Sequence, residues 1–287
     1  VFRYTYNTLV YGDEPLAKSI ERVAHDGYDG VEIVGEPAVM SLPDITAALE
    51  ANGIAASSIV SIYTSERDIV SSSPSVRRAA VDYVKANIEF ASALSANTVT
   101  FTPTACMKIS PEADVEQEWE WARSAAIELA SFAGQAGVTL ALEPWNRYET
   151  YLINRTEQAL RLIDEVDSPH FKYMADTFHM SIEEADIADS LRAAGSALGH
   201  VHLADSNRAA PGYGHTDFVP IMRAILDIGY TGWISYELLP AAGDVWGVLS
   251  GSGAPEFKEP YTRESIRHTK AIVESLMGGQ SHDDGRA

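Results

Sequence analysis

The sequence predicts a (β/α)8 barrel, and three observations lead there. Short apolar runs alternate with longer amphipathic ones throughout the 287-residue chain. Eight such short runs can be counted, as eight βα units in a parallel arrangement require. No Gly-rich dinucleotide fingerprint follows the first run, which weakens an open doubly wound sheet.

The first strand is expected over Phe2–Leu9, rich in aromatic and β-branched residues, and Asp13 is placed to cap a helix over Glu14–His25. Strand Gly30–Val34 and helix Pro43–Ala51 come next, then strand Ile54–Ile62 and a long helix over Pro74–Leu94. Strand Thr98–Thr102 precedes a second long helix, Val115–Ala136, and strand Val138–Leu142 precedes helix Thr156–Val166. The last three strands are expected at Phe171–Ala175, His200–Leu203 and Trp233–Tyr236, with helices Ile182–Leu198 and Phe218–Ile228 between them. In "DGYDGVEI", "ANGIAA", "QAGVTL" and "IGYTGWI" a Gly stands at or just past a helix end, before a buried strand. Residues 1–276 read as a single barrel domain. Residues 239–260, rich in Gly, Pro and Ser, read as a long loop that could act as a lid, and residues 277–287 as a disordered polar tail.

At 46% hydrophobic and 22% charged, the chain can bury a large core. Its 21 Lys and Arg stand against 41 Asp and Glu, a formal charge of −20, which argues against nucleic acid or an anionic membrane as a partner. The single cysteine, Cys106, excludes an internal disulfide and a cysteine-built zinc site, and reads as a small hydrophobe near a pocket rather than a nucleophile. No apolar segment approaches the length of a membrane span and no signal-peptide pattern opens the chain, so a cytoplasmic protein is expected.

The chemistry gathers where strands end. "LALEPWNRYETYLIN" stops its apolar run at Glu143, "FKYMAD" at Asp176, "HVHLAD" carries His202 and "WISYE" stops at Glu237. In a barrel these positions share the C-terminal rim. Carboxylates so close would repel unless a cation sat among them, and three carboxylates with one imidazole suit Mn²⁺, Co²⁺ or Mg²⁺. Glu149, His179 and Arg208 follow close behind and could hold the hydroxyls of a polar substrate. Tyr4, Tyr6, Trp119, Trp145, Phe178 and Trp246 are candidates for apolar walls against a sugar.

"LEPWNRYETYLIN", "DTFHMSIEE", "HVHLADSNRAAPGYGHTDF" and "IGYTGWISYE" resemble the signatures of ketose 3-epimerases, the D-tagatose and D-allulose (psicose) 3-epimerases of the xylose-isomerase-like TIM barrel superfamily. The likeness is strongest across roughly residues 130–240. It implies metal binding by Glu143, Asp176, His202 and Glu237, with Glu143 and Glu237 also the acid/base pair flanking C3 of a free ketose. It implies substrate contacts by Glu149, His179 and Arg208, to which Tyr6 and Trp145 are added as expected contacts. The reaction so implied is deprotonation and reprotonation through a metal-stabilised enediolate, with Mn²⁺ the expected ion. Departures are Asn7 in place of the usual Trp, the bulky Trp145, and the segments 102–118 and 239–260.

An alternative uses the same enediolate chemistry to expel a leaving group, as in the catalytic subunit of a 3-oxo-C-glycoside deglycosidase, a lyase that works with a small partner subunit. A DNA-repair endonuclease of the superfamily would need more histidines and a basic groove. A sugar-binding barrel with a vestigial metal site is the non-catalytic option. A homo-oligomer is expected for the epimerase, a hetero-complex for the lyase.

Overall fold

The computed structural model describes residues 2–239 and 257–280. Eight parallel strands close into a barrel in chain order: β1 (Arg3–Asn7), β2 (Gly30–Val34), β3 (Ala55–Val60), β4 (Thr98–Phe101), β5 (Thr139–Leu142), β6 (Phe171–Asp176), β7 (Leu198–Leu203) and β8 (Trp233–Tyr236), with β8 pairing back onto β1. Around it lie α1 (Leu16–His25), α2 (Leu42–Asn52), α3 (Pro74–Ala93), α4 (Val115–Ala136), α5 (Thr156–Val166), α6 (Thr177–Glu183), α7 (Ile187–Ala194), α8 (Phe218–Asp227) and α9 (Lys258–Gln280). The expected fold class is therefore observed. Gly53 and Gly137, read as helix stops, take φ of 61° and 71° after α2 and α4, a conformation that a Cβ would strain.

Side chains alternate along each strand, and that alternation divides the core in two. Val201 and Leu203 of β7 and Ile234 and Tyr236 of β8 are fully buried in the outer layer between sheet and helices. The inward positions are polar. His200 and His202 of β7 both reach Glu32 of β2 on the far side of the barrel, and Ser235 of β8 and Ser58 of β3 join the same carboxylate. On β1, Thr5 faces inward and meets Ser57 Oγ at 2.7 Å. Barrel interiors are usually filled by branched aliphatic side chains; much of this one is filled by a hydrogen-bonded set.

The structure departs from the expected elements at five places. α1 starts at Leu16 behind Pro15 rather than at Glu14, without the side-chain cap expected of Asp13. β1 ends at Asn7, whose side chain accepts from Leu9 N at 2.9 Å and starts a 3₁₀ turn over Thr8–Tyr11. The helix expected over Ile182–Leu198 is broken: α6 begins directly after β6, α7 ends at Ala194, and Leu198 already belongs to β7. The break follows from Glu184, in extended backbone, whose carboxylate accepts from Thr156 N (2.7 Å), Thr156 Oγ1 (2.8 Å) and Ser190 Oγ (2.9 Å). α9 was not anticipated; its Thr262 closes the barrel's outer layer by bonding Tyr11 Oη at 2.6 Å and accepting from Tyr28 Oη at 2.6 Å. α9 also runs to Gln280, into the segment expected as a tail. Residues 240–256 of the expected lid loop and residues 281–287 of the tail lie outside the described residues. Among the described residues, no helix is long and apolar enough to cross a membrane.

Gly35, just past β2, shows how tightly the rim is packed. A Cβ there would lie 2.5 Å from Ile59 Cγ2 and collide with the Asn87 amide, which is fully buried and donates to Ser61 Oγ at 3.1 Å. Gly35→Ala is expected to destabilise the fold by about 1–3 kcal/mol, as overpacking does. Urea denaturation checks this; an unchanged midpoint would show that the rim can yield.

Candidate metal centre and active site

Four strands deliver the expected ligands to one point. Glu143 follows β5 directly, Asp176 is the last residue of β6, His202 lies in β7 and Glu237 follows β8. All four are buried, and one ligand atom from each lies within 4.8 Å of the others. His202 Nδ1 stands 3.7 Å from Asp176 Oδ2 and 3.8 Å from Glu237 Oε1. Asp176 divides its two oxygens: Oδ1 caps α6 by accepting from Phe178 N (2.7 Å) and His179 N (3.2 Å), while Oδ2 turns to the cluster. Asp176 Oδ2, Glu143 Oε1 and His202 Nδ1 are buried without a hydrogen-bond partner. Such unsatisfied atoms are costly unless something else meets them. Three carboxylates and one imidazole at this spacing fit a divalent ion that prefers oxygen and nitrogen ligands.

The electrostatics point the same way. Burial, and then the neighbouring Glu237, push Glu143 well above the usual carboxylate range. Glu237 is also raised, chiefly by burial, although His202 and Arg208 oppose the shift. Burial would raise Asp176 too, but His179, His202 and Arg208 prevail and hold it at about 2. His202 is pushed well above its ordinary value: burial works against its charge, and Glu32 and Glu237 overcome burial.

Beside the cluster stands a polar wall. His179 Nε2 lies 3.7 Å from Glu143 Oε1, while Nδ1 faces Asn146 N (3.2 Å) and Asn146 Nδ2 (2.8 Å). Because both Asn146 groups are donors, Nδ1 must accept, which leaves an Nε2–H turned to the cluster. Burial lowers the His179 pKa and keeps the ring neutral. Arg208 bridges Glu149 Oε1 (3.1 Å) and Glu237 Oε2 (3.3 Å), and its guanidinium lies 4.7 Å from the Phe178 ring centroid. Its backbone takes φ of 61°, unusual for a residue other than glycine. Trp145 stacks on His179 with centroids 6.1 Å apart.

The structure thus brings Glu143, Asp176, His202, Glu237, Glu149, His179, Arg208 and Trp145 together. Tyr6 is a correction. One residue out of phase with Asn7, it turns to the helix layer and packs on Tyr11, Tyr28 and Tyr236. Tyr4, beneath Lys270, shares that side. Trp119 donates to Glu165 at 2.7 Å between α4 and α5, and Trp246 lies outside the described residues. Burial, with Glu149 next, pushes the Cys106 thiol up to about 12, so it is no ready nucleophile. Three participants escaped the sequence reading. Asn7 donates to Glu237 Oε1 at 2.8 Å, Asn146 orients His179 and Glu149, and Glu32 Oε1 stands 2.6 Å from His202 Nε2. Two-residue alternation back from Glu237 and His202 finds Ser235 and His200. No local signal marked Glu32, set within "GVEIV".

These shifts fix the sign of a pH dependence in protein stripped of metal. Glu143 and Glu237 are raised, so their contribution to stability is full below their ordinary value of 4.5 and is lost as pH rises through the folded value. His202, also raised, acts in the same direction from its ordinary 6.5 upward. Asp176 is opposite: its contribution is present above 3.8 and lost as pH falls toward about 2. Between roughly pH 5 and 8 the stripped protein should lose stability as pH rises. Adding a divalent ion should remove much of that slope, and Glu143→Gln should flatten it. Melting curves in EDTA across this range decide; stability rising with pH would contradict the assignment.

The sequence matches the family described as Xylose isomerase-like TIM barrel over residues 20–272. A D-psicose 3-epimerase of Ruminiclostridium cellulolyticum is 32% identical over 268 residues, spanning 89% of this chain and 91% of that protein. One from Agrobacterium fabrum is 30% identical over 275 residues, 91% of this chain and 93% of the relative. The crystal structure of D-psicose 3-epimerase with D-tagatose from Clostridium cellulolyticum superposes with a TM-score of 0.84 at 26% identity, covering 95% of this chain and 99% of that one. The chain belongs to the xylose isomerase-like TIM barrel family, and it is an enzyme of the isomerase class, a sugar epimerase.

Proposed function

We propose that the enzyme inverts C3 of a free ketose, with a divalent ion, Mn²⁺ foremost, held by Glu143, Asp176, His202 and Glu237. The observation that carries this reading is the pair Glu143 and Glu237. They come from β5 and β8, converge on one cluster, and are both buried and raised in proton affinity. Inversion beside a carbonyl needs a proton removed from one face of a carbon and another delivered to the opposite face. Two carboxylates approaching from separate strands can do this, and their raised proton affinities suit groups that alternate between base and acid near neutral pH.

When bound, the ion would supply positive charge for the ketone oxygen and the oxyanion character that develops on deprotonation. The remaining work falls to side chains. Either glutamate takes the C3 proton, leaving an enediolate, while the other protonates C3 from the far side. His179 Nε2–H and the unpaired Arg208 Nε are free to donate to substrate hydroxyls or oxyanions. Arg208, the cation described beside the cluster, is already shared by two carboxylates, which favours an uncharged sugar over a sugar phosphate. Burial of the four ligands limits bulk water around the transferred proton.

The test is a Mn²⁺-supplemented assay in D₂O on D-allulose, D-fructose, D-tagatose and L-ribulose, with exchange at C3 followed by NMR. Wild-type protein should form the C3 epimer and exchange the C3 proton, and EDTA should abolish both. Glu143→Gln and Glu237→Gln should each lose about 10²–10⁴-fold in rate. Protein that binds Mn²⁺ but exchanges no free ketose would refute the reading and favour a 3-oxo-glycoside.

A further inference from the structure

We propose that Glu32, outside the four-residue metal centre, is the positioning residue that aims His202 Nδ1 at the ion. The proposal rests on the metal-site reading above and adds a residue to it.

An imidazole offers two nitrogens, and which one is free to ligate depends on what the other bonds. His202 Nδ1 faces Asp176 and Glu237; to ligate an ion there it must be bare, which puts the hydrogen of the neutral ring on Nε2 and calls for an acceptor beside it. Glu32 Oε1 stands 2.6 Å from it. Glu32 is itself fully buried and held from several strands. Ser235 Oγ of β8 donates to Oε1 at 2.9 Å, Ser58 Oγ of β3 donates to Oε2, and His200 Nε2 lies 2.7 Å from Oε2. Contacts from β3, β7 and β8 leave the carboxylate little freedom to rotate. Carboxylate–histidine–metal arrangements of this kind orient the ring and raise its basicity.

Two other readings of the same atoms fare worse. Glu32, His200 and His202 also satisfy a loose spacing criterion for a separate ion. However, separations of 2.6 and 2.7 Å are too short for two ligands of one ion; ligands about 2.0–2.2 Å from a common ion stand roughly 3 Å or more apart. If Glu32 served only to satisfy a polar interior, nothing would require His202 Nδ1 to face Asp176 Oδ2 and Glu237 Oε1 at 3.7 and 3.8 Å while Nε2 faces Glu32. Glu32 Oε1 stands on the Nε2 side of His202, which leaves Nδ1 to the cluster.

The experiment is an electron paramagnetic resonance titration of free Mn²⁺ on the full chain stripped with EDTA, alongside the visible d–d spectrum of the Co²⁺ form. Glu32→Gln keeps the shape but puts an amide N–H₂ where a carboxylate oxygen was. It should bind Mn²⁺ about 10–100-fold more weakly and shift the Co²⁺ bands. Ser235→Ala, a milder change that removes one donor to the same oxygen, should cost about two- to tenfold. A purely structural Glu32 would lower the melting temperature and leave the Mn²⁺ affinity of the folded fraction and the Co²⁺ bands unchanged; that result in Glu32→Gln overturns the proposal. Should Glu32→Gln not fold, an unchanged affinity in Ser235→Ala overturns it instead. Wild-type protein that binds no Mn²⁺ would remove the metal site itself, and the positioning role with it.

Discussion

Negative charge buried inside a closed barrel is the constraint on which the rest of this structure depends. Glu32, Glu143, Asp176 and Glu237 are all at most 6% exposed. A carboxylate taken from water without partners is among the least favourable groups a fold can bury. The interior answers with two histidines on Glu32, an arginine shared by Glu149 and Glu237, an asparagine on Glu237, and a helix N-terminus on Asp176. Their answer is unequal. Glu32 is held well below the usual range: burial would raise it, and His202 and His200 outweigh burial. Glu143 is left raised and one of its oxygens unbonded. The deficit is greatest where a divalent cation would fit.

This gives the site two layers with different tasks. The lower layer gathers around Glu32, whose two oxygens are met by Ser235, Ser58, His200 and His202 from across the barrel. The upper layer retains unsatisfied atoms at the strand ends, together with a backbone conformation at Arg208 that few non-glycine residues adopt. Unsatisfied and strained groups collect where a protein does chemistry, because only a surrounding structure that over-determines them can hold them there. The outer shell of Tyr6, Tyr11, Tyr28 and Tyr236, tied to α9 through Thr262, is part of that surrounding structure.

How legible each part was depended on whether its cause is local. Apolar periodicity and helix-ending glycines are local, and they yielded all eight strands and the seven helices anticipated between them, one of which the structure divides. α9 was missed because it follows a Gly- and Pro-rich segment that reads only as loop, and the division of α6 from α7 was missed because Glu184 reaches back to Thr156 on another helix. The four clustered residues were legible because one acidic group or imidazole at a strand end has an ordinary role as turn residue or helix cap, as Asp176 also does for α6, whereas four on consecutive late strands do not. Tyr6 was misassigned because an aromatic near a strand end announces its size and not its side of the sheet.

The sequence alone therefore determined the alternation that closes into a barrel and the four strand-end residues that meet on its rim, since both follow from a pattern within each segment. Tertiary structure decided what no segment holds by itself. Glu32 meets His200 and His202 only because β2 and β7 face each other across the closed sheet. Asn7 meets Glu237 only because β8 returns to β1. Whether each buried carboxylate is neutralised or left for an ion is set by separations from 2.6 to 3.8 Å between groups far apart in the chain, and Coulomb energies over such distances in a dry interior are too steep for composition to foretell.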